Sequence, residues 1–424
     1  ETTLKTDAVY RFNDRIQASG GLKLQHAQLD YSDTQWLESI HLYGYAPDSL
    51  TAPAPISRAE FDQFYVGNTD ANIIAVATLD SGRTITREEQ AGILKTAIHG
   101  QISWFPTLRL ELILGGRLET ATLPEEVTFS PRLGLSYHMT DKVKLNTSGG
   151  RYYQAPFYDQ LVELESAPDE ITSYYTDQVV TGLEVLFRDD FRGTLEIYGR
   201  QYEDLPVSHA STTPDTSDRF GGWVNAGAGH SYGIELYLQK KYTNRWYGSA
   251  SWSWSRAEGI DPRYPGQDRT YPWDYDFGHV FTLIGGYKIK YMEYDWYRRY
   301  KKSFLGKFFS WIPIAPSDEY EISFRGRYVG GRPYTPQHYD HNTRRWYTSQ
   351  DQSWNTHRMR EYIRFDIMLL QRFYFKKANL VAFWDIMNVF NRDNPWGWQY
   401  YDDGTRDMVW QYKTFPVGGL VLEF

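Results

Sequence analysis

The residues best placed to do chemistry are histidines, serines and acids in three small groups. His99 and Ser103 fall on the same side of an alternating run, and a histidine near a serine is the beginning of a nucleophile–base pair. No carboxylate partner and no Gly-x-Ser-x-Gly elbow accompanies them, so they read as polar side chains on a wet surface. His338-Tyr339-Asp340-His341, with His357 beyond, carries donors that zinc accepts, in a segment of ordinary polar loop composition. Asp402-Asp403-Gly404 offers oxygens for calcium, and the same residues make an Asx turn by default. The expectation is no catalytic residue, no bound metal and no cofactor.

Recognition chemistry is better supplied. Tyr152, Tyr153, Phe157, Tyr158, Trp223, Tyr271, Trp273, Tyr334, Trp396 and Trp398 fall in segments that read as loops. Exposed rings suit sugars, siderophores or peptides, and they also suit the interfacial belt of a membrane protein. A second set, Arg109, Glu111, Arg117, Glu119, Glu184, Glu235, Arg325, Arg327, Arg364 and Asp366, lies on the polar side of alternating strands. A charge-selective pore would show one dominant sign. Mixed signs suit a lumen wall that holds a plug through exchangeable ion pairs, or one whose charges pair between neighbouring strands.

The elements that must position these groups are strands. Leu94, Ile98, Ile102 and Trp104 oppose Lys95, His99, Gln101 and Ser103; after a turn at Pro106-Thr107, Leu108, Leu110, Leu112, Leu114 and Leu118 oppose Arg109, Glu111, Arg117 and Glu119. One face meets an apolar solvent and the other meets water or an ion-pair network. The unit recurs to give about fifteen strands, with aromatics clustered at strand ends as interfacial girdles require. In the last strand Leu420, Leu422 and Phe424 share one face, and Val417, Gly419, Val421 and Glu423 the other. It reads as a barrel-closing strand, because an open edge is not tolerated in lipid. The predicted fold is all-β: a transmembrane, antiparallel, up-and-down β-barrel spanning residues 1–424.

Composition agrees. Aromatics make up 17 % of 424 residues, with 35 Tyr and 15 Trp, yet the apolar residues are dispersed. No run reaches the ~18–20 apolar residues of a spanning helix. The absence of cysteine removes disulfides and thiolate sites, and a net charge of −8 argues against nucleic acid as a partner. Residues 1–7 lack the apolar core of a signal peptide, so either one was removed or the chain starts inside a larger protein. Long connections are expected at residues 25–84, 118–128, 155–172, 203–229, 257–277, 332–357 and 391–414, all on one side of the membrane. On the opposite, short-turn side, residues 291–317 form a basic and aromatic insertion containing Trp296, Phe304, Phe308 and Trp311. It reads equally as a helix in the headgroups, a partner-docking loop or a solvated one.

Several stretches resemble the carboxyl-terminal barrel of TonB-dependent outer-membrane transporters. They are Ser130-Pro-Arg-Leu-Gly-Leu-Ser-Tyr137 with Gly150-Arg-Tyr-Tyr-Gln-Ala-Pro-Phe157, Asn225-Ala-Gly with Ser231-Tyr-Gly-Ile-Glu-Leu236, Arg327 to Pro336, Arg364-Phe-Asp366, Asp385 with Asn388-Val-Phe-Asn391, and the terminal Phe424. They occur in the family's order over residues 130–424. The resemblance implies a receptor in the bacterial outer membrane that imports a scarce ligand (siderophore, glycan, peptide or cofactor). Its partners would be outer-membrane lipid, the TonB energy-coupling complex reached through a plug that this chain lacks, and a surface lipoprotein or other envelope proteins. Family barrels have ~22 strands around a plug, so the first hairpin here would correspond to about the eighth and ninth. Three arrangements stay open: part of a larger receptor, a receptor that has lost its plug, and an independent smaller barrel. The alternative function is a plugless barrel acting as a diffusion pore or as a scaffold in an envelope complex.

Overall fold

The computed structural model describes residues 1–37, 40–45, 54–55, 74–79, 83–162, 171–208, 223–264, 266–267, 269–309, 316–341, 345–349 and 352–424. Fifteen strands form one antiparallel path: β1 (Thr2–Asn13), β2 (Ile16–Leu37), β3 (Arg83–Thr107), β4 (Leu110–Thr122), β5 (Glu125–His138), β6 (Val143–Gln154), β7 (Tyr174–Arg188) and β8 (Phe191–Ser208) lead it. β9 (Trp223–Thr243), β10 (Trp246–Ile260), β11 (His279–Lys290), β12 (Glu319–Val329), β13 (Tyr362–Tyr374), β14 (Asn379–Met387) and β15 (Phe415–Glu423) complete it. Each strand of the path lies beside its predecessor, which is the up-and-down order. A short strand, Thr270–Pro272, adds to β10.

Residues directly opposite in an antiparallel pair share a face. Leu110, Tyr137, Leu145, Leu183, Leu195, Leu236, Trp252, Phe281, Tyr328 and Ile363 are opposite one another in turn, so ten strands present a single apolar row. One residue along, Ser136, Asn146, Gly182, Glu196, Glu235 and Ser253 make an equally continuous row on the other face. Leu183, Leu195, Leu236 and Phe281 are exposed. A band of this kind is stable against lipid and would be a sticky surface in water. At the turn end Trp246, Tyr287, Ile322, Leu369 and Trp384 form a further outward row, rich in the aromatics that favour headgroup level.

Some boundaries differ from the sequence reading. β2 has 22 residues and β3 has 25, paired without interruption up to Leu37 opposite Arg83, so much of the stretch expected as a loop at 25–84 is ladder. A strand needs only ~9–11 residues to cross a bilayer; beyond that both faces are wet and alternation loses its signature. The expected loop at 118–128 is also ladder, closed by a tight connection at Leu123-Pro124. Leu108 and Arg109 occupy the turn between β3 and β4 rather than the strand faces, and the Arg109 carbonyl accepts from the His138 amide at 2.8 Å. Trp311 and the connections at 163–170 and 209–222 lie outside the described residues.

On the inward face at the loop end, the short helix α1 (Tyr158–Val162) presses Leu161 onto Ala27 and Ile93, with Tyr158, Leu29 and Leu123 around them. Between β11 and β12 a 3-10 turn (Tyr291–Glu293) leads into α2 (Asp295–Lys302) and α3 (Phe304–Phe309).

Candidate functional site

Three connections at the loop end are tied into one crown. From the β10–β11 connection, Asp261 and Arg263 form a buried pair, with Arg263 Nη2 2.6 Å from Asp261 Oδ2. Arg263 also donates to the Gln352 carbonyl at 3.0 Å and stacks 4.4 Å from the Trp354 ring, which meets Tyr271 edge-on at 4.8 Å. Asn355 donates to the Pro272 carbonyl and to Asp274, both at 2.8 Å, and Arg358 pairs with Asp276. These contacts fix the β12–β13 connection on its neighbour. The β14–β15 connection joins from the other side: Trp346 Nε1 donates to the Tyr401 carbonyl at 2.8 Å and its ring lies 4.6 Å from Tyr400. Tyr339 donates to the Asp402 carbonyl, Tyr334 lies 6.4 Å from Trp398, and Arg406 sits over the Trp398 ring at 4.4 Å.

Beneath the crown, at the mouth of the lumen, is a cavity of about 290 Å³. Arg327, Arg332, Arg360, Tyr362 and Trp396 line it with Phe277 and Gln411, and no carboxylate is among its described lining residues. Arg327 faces Arg364 directly across the strand pair. The Arg364 guanidinium is taken up by Asp366 at 2.7 Å and Arg360 Nε lies 3.9 Å from Glu361, so Arg327 and Arg332 are the lining cations that make no ion pair among the described residues. Arg332 and Arg360 escaped the sequence reading because they lie in loops, where no periodicity marks a face.

The other predicted rings divide by level. Trp273 lies flat on the inner wall: a Cβ at Gly229 would come within 2.4 Å of its ring and one at Gly259 within 2.3 Å, so both positions must be glycine for it to lie there. Tyr152 stacks under Arg132 at 4.8 Å, whereas Tyr153 is on the opposite face, 5.4 Å from Tyr175. Tyr158 packs on the α1 cluster below Lys95, and Phe157 is exposed beside it. Trp223 opens β9, and Trp396 is 68 % exposed at the cavity rim.

Among the inward charges, Arg117 and Glu119 pair at 2.6 Å, and Glu184 lies 3.9 Å from Arg192. Glu111 stands on β4, and Glu235 opposes Glu196. Arg325 and Arg364 both reach the buried Asp366, at 3.1 and 2.7 Å, and the Asn388 amide donates to the same carboxylate at 2.9 Å. Leu420 and Leu422 are exposed on the outer face opposite Ala382 and Leu380, and Phe424 follows the last paired residue of β15.

His99 does have a carboxylate partner: Asp7, at 3.3 Å, reaches it across Gly21. Sequence distance hid the pair. Ser103 is four residues along the same strand, about 13 Å away at ~3.3 Å per residue, so no triad forms. His338, His341 and His357 make separate ring contacts with Tyr347, Tyr339 and Tyr334. Asp403 accepts from the Thr405 amide at 2.9 Å and hydroxyl at 2.6 Å, which closes an Asx-type turn and holds its carboxyl below the ordinary range.

Burial pushes the Asp261 carboxyl up, but the hydrogen bonds and charge of Arg263 outweigh it, and the acid is held below its ordinary 3.8. A carboxyl depressed in the folded state stabilises it above the unfolded value, and that contribution is lost as pH falls through the folded value. Crown protection is therefore expected to hold above pH ~4 and decline below it. Amide exchange of residues 257–276 against pH measures this, with Asp261→Asn expected to flatten the profile.

A wall with one lipid-compatible face, girdle aromatics and a loop crown defines an outer-membrane β-barrel protein. No helix among the described residues is long and apolar enough to cross a membrane. Residues 2–389 match the family described as TonB dependent receptor-like, beta-barrel, and the chain belongs to that family. This is a family of receptors and transporters, and its place is the outer membrane of Gram-negative bacteria. Similar solved structures include the outer membrane transporter YddB from Escherichia coli, with 10 % identity and a TM-score of 0.56, 99 % of this chain matching 53 % of that one. The FrpB iron transporter from Neisseria meningitidis (F5-1 variant) gives 13 % and 0.59, with 99 % and 55 % coverage. The siderophore receptor PiuA from Acinetobacter baumannii gives 12 % and 0.56, with the same coverages of 99 % and 55 %. The chain thus spans about half the length of these proteins. No curated protein matches it.

Proposed function

We propose that this chain supplies wall and crown to a TonB-dependent receptor that captures a scarce anionic ligand at its loop end and imports it with energy from an inner-membrane complex. The observation that carries the reading is the cavity under the crown, with three arginines, a tryptophan and no lining carboxylate. Guanidinium groups bind carboxylate, phosphate and anionic chelates through forked hydrogen bonds, and the ring adds a flat contact. Similar structures named as iron, copper and siderophore proteins make an anionic metal chelate the first ligand class to try.

The test is uptake of radiolabelled iron and copper chelates of differing charge by cells producing the full-length receptor, with the coupling complex intact or deleted. Coupled uptake confined to anionic chelates supports the reading. Uptake indifferent to charge, or independent of the complex, contradicts it. A plugless pore would instead conduct steadily in planar bilayers. Replacing Arg332 and Arg360 by Glu is expected to weaken binding of the imported chelate roughly tenfold or more per residue, measured by calorimetry on the purified receptor.

A further inference from the structure

The helical insertion between β11 and β12 is held in one orientation from two sides. Asp318, buried at the start of β12, accepts from Lys301 Nζ at 2.6 and 2.7 Å, from the Tyr297 hydroxyl at 3.1 Å and from the Tyr374 amide at 2.6 Å. Burial and the Asp318 charge push the Tyr297 hydroxyl well above its ordinary value, so it stays a donor. On the opposite flank Arg245, in the β9–β10 turn, donates to Glu293 at 2.9 Å and to Tyr294 at 2.6 Å, and Tyr287 of the outward girdle hydrogen-bonds the same guanidinium. The insertion is therefore fixed beside the turn end of the lipid-facing row, where Trp246 stands opposite Tyr287.

With Tyr297 and Lys301 turned to the barrel, other groups are left outside. Met292, Trp296, Phe304, Leu305 and Phe308 are exposed, Phe304 by 81 %. No ion pair involves Arg299 or Lys302 among the described residues, and both are exposed. An apolar surface this large is unfavourable in water. It suits the acyl boundary, with unpaired cations at headgroup depth.

We infer that α2 and α3 form an anchor on the inner leaflet of the outer membrane, with Trp296, Phe304, Leu305 and Phe308 in the acyl boundary and Arg299 and Lys302 on phospholipid phosphates. Two features favour lipid over a protein partner: the position beside the girdle, and exposed apolar groups next to cations that make no ion pair among the described residues.

These 424 residues have no cysteine, so a cysteine introduced among them is the one label site they carry, and the unsubstituted receptor serves as the labelling blank. Full-length receptor carrying Met292→Cys, Phe308→Cys or Arg298→Cys would be labelled in nanodiscs of phosphatidylethanolamine with phosphatidylglycerol. Labels at 292 and 308 are expected to collide with oxygen and be shielded from a water-soluble nickel chelate, while a label at 298, beside Asp295, meets nickel. Adding Arg299→Glu and Lys302→Glu should raise the nickel-to-oxygen ratio at 308 by roughly fivefold or more. Nickel access at 292 and 308 equal to that at 298 overturns the inference. So does shielding that requires added periplasmic extract, which would assign the face to a protein.

Discussion

Leu236→Arg is expected to cost about 2–4 kcal/mol of folding stability in a bilayer, the penalty for an arginine at mid-depth on the lipid face. Leu236 stands in the middle of the ten-residue apolar row, between Leu195 and Trp252. The neighbouring change, Glu235→Arg, should be neutral or stabilising, because Glu235 faces Glu196 and the new guanidinium would replace a repulsion by a pair. Urea-dependent folding into lipid vesicles, read by gel mobility of unheated samples, compares the two. Equal costs at 235 and 236 would mean that the two faces meet the same solvent.

Asp366→Ala should be at least as damaging. Asp366 is buried and accepts from Arg325, Arg364 and the Asn388 amide. Removing it takes the shared acid from Arg364 and from the half-exposed Arg325 and leaves the Asn388 amide without its acceptor, together about 2–4 kcal/mol. Asn388 also has positive φ, 52°, and its side chain donates to the Arg392 carbonyl at 2.9 Å and accepts from the Arg392 amide at 3.1 Å, so the defect should reach the β14–β15 connection. Asp366→Asn, which retains an acceptor for that amide without the charge, should fall between wild type and Ala in urea midpoint.

The strands were legible because their two faces meet different solvents; the leucines at 110, 112 and 114 reveal this without any knowledge of partners. Register was not legible. Asp7 meets His99 only because β2 lies between β1 and β3, and no local pattern encodes that. Beyond the bilayer both faces are wet, which hid the upper halves of β2 and β3. The crown was legible as composition, since rings such as Trp396 and Tyr334 stood out. Its cavity was not, because Arg332 and Arg360 converge through loop geometry. Asn388 was visible as part of a motif; its role as the bridge between Asp366 and Arg392 needed coordinates.

The most direct measurement is photolabelling in liposomes with a phospholipid bearing a carbene precursor deep in its acyl chain, followed by peptide mapping. The predicted result is insertion at Leu183, Leu195, Leu236 and Phe281, with Glu184, Glu196, Glu235 and Thr282 spared. Labelling that ignores this alternation, or none on the leucine row, would contradict a wall with lipid on one side and an aqueous interior on the other.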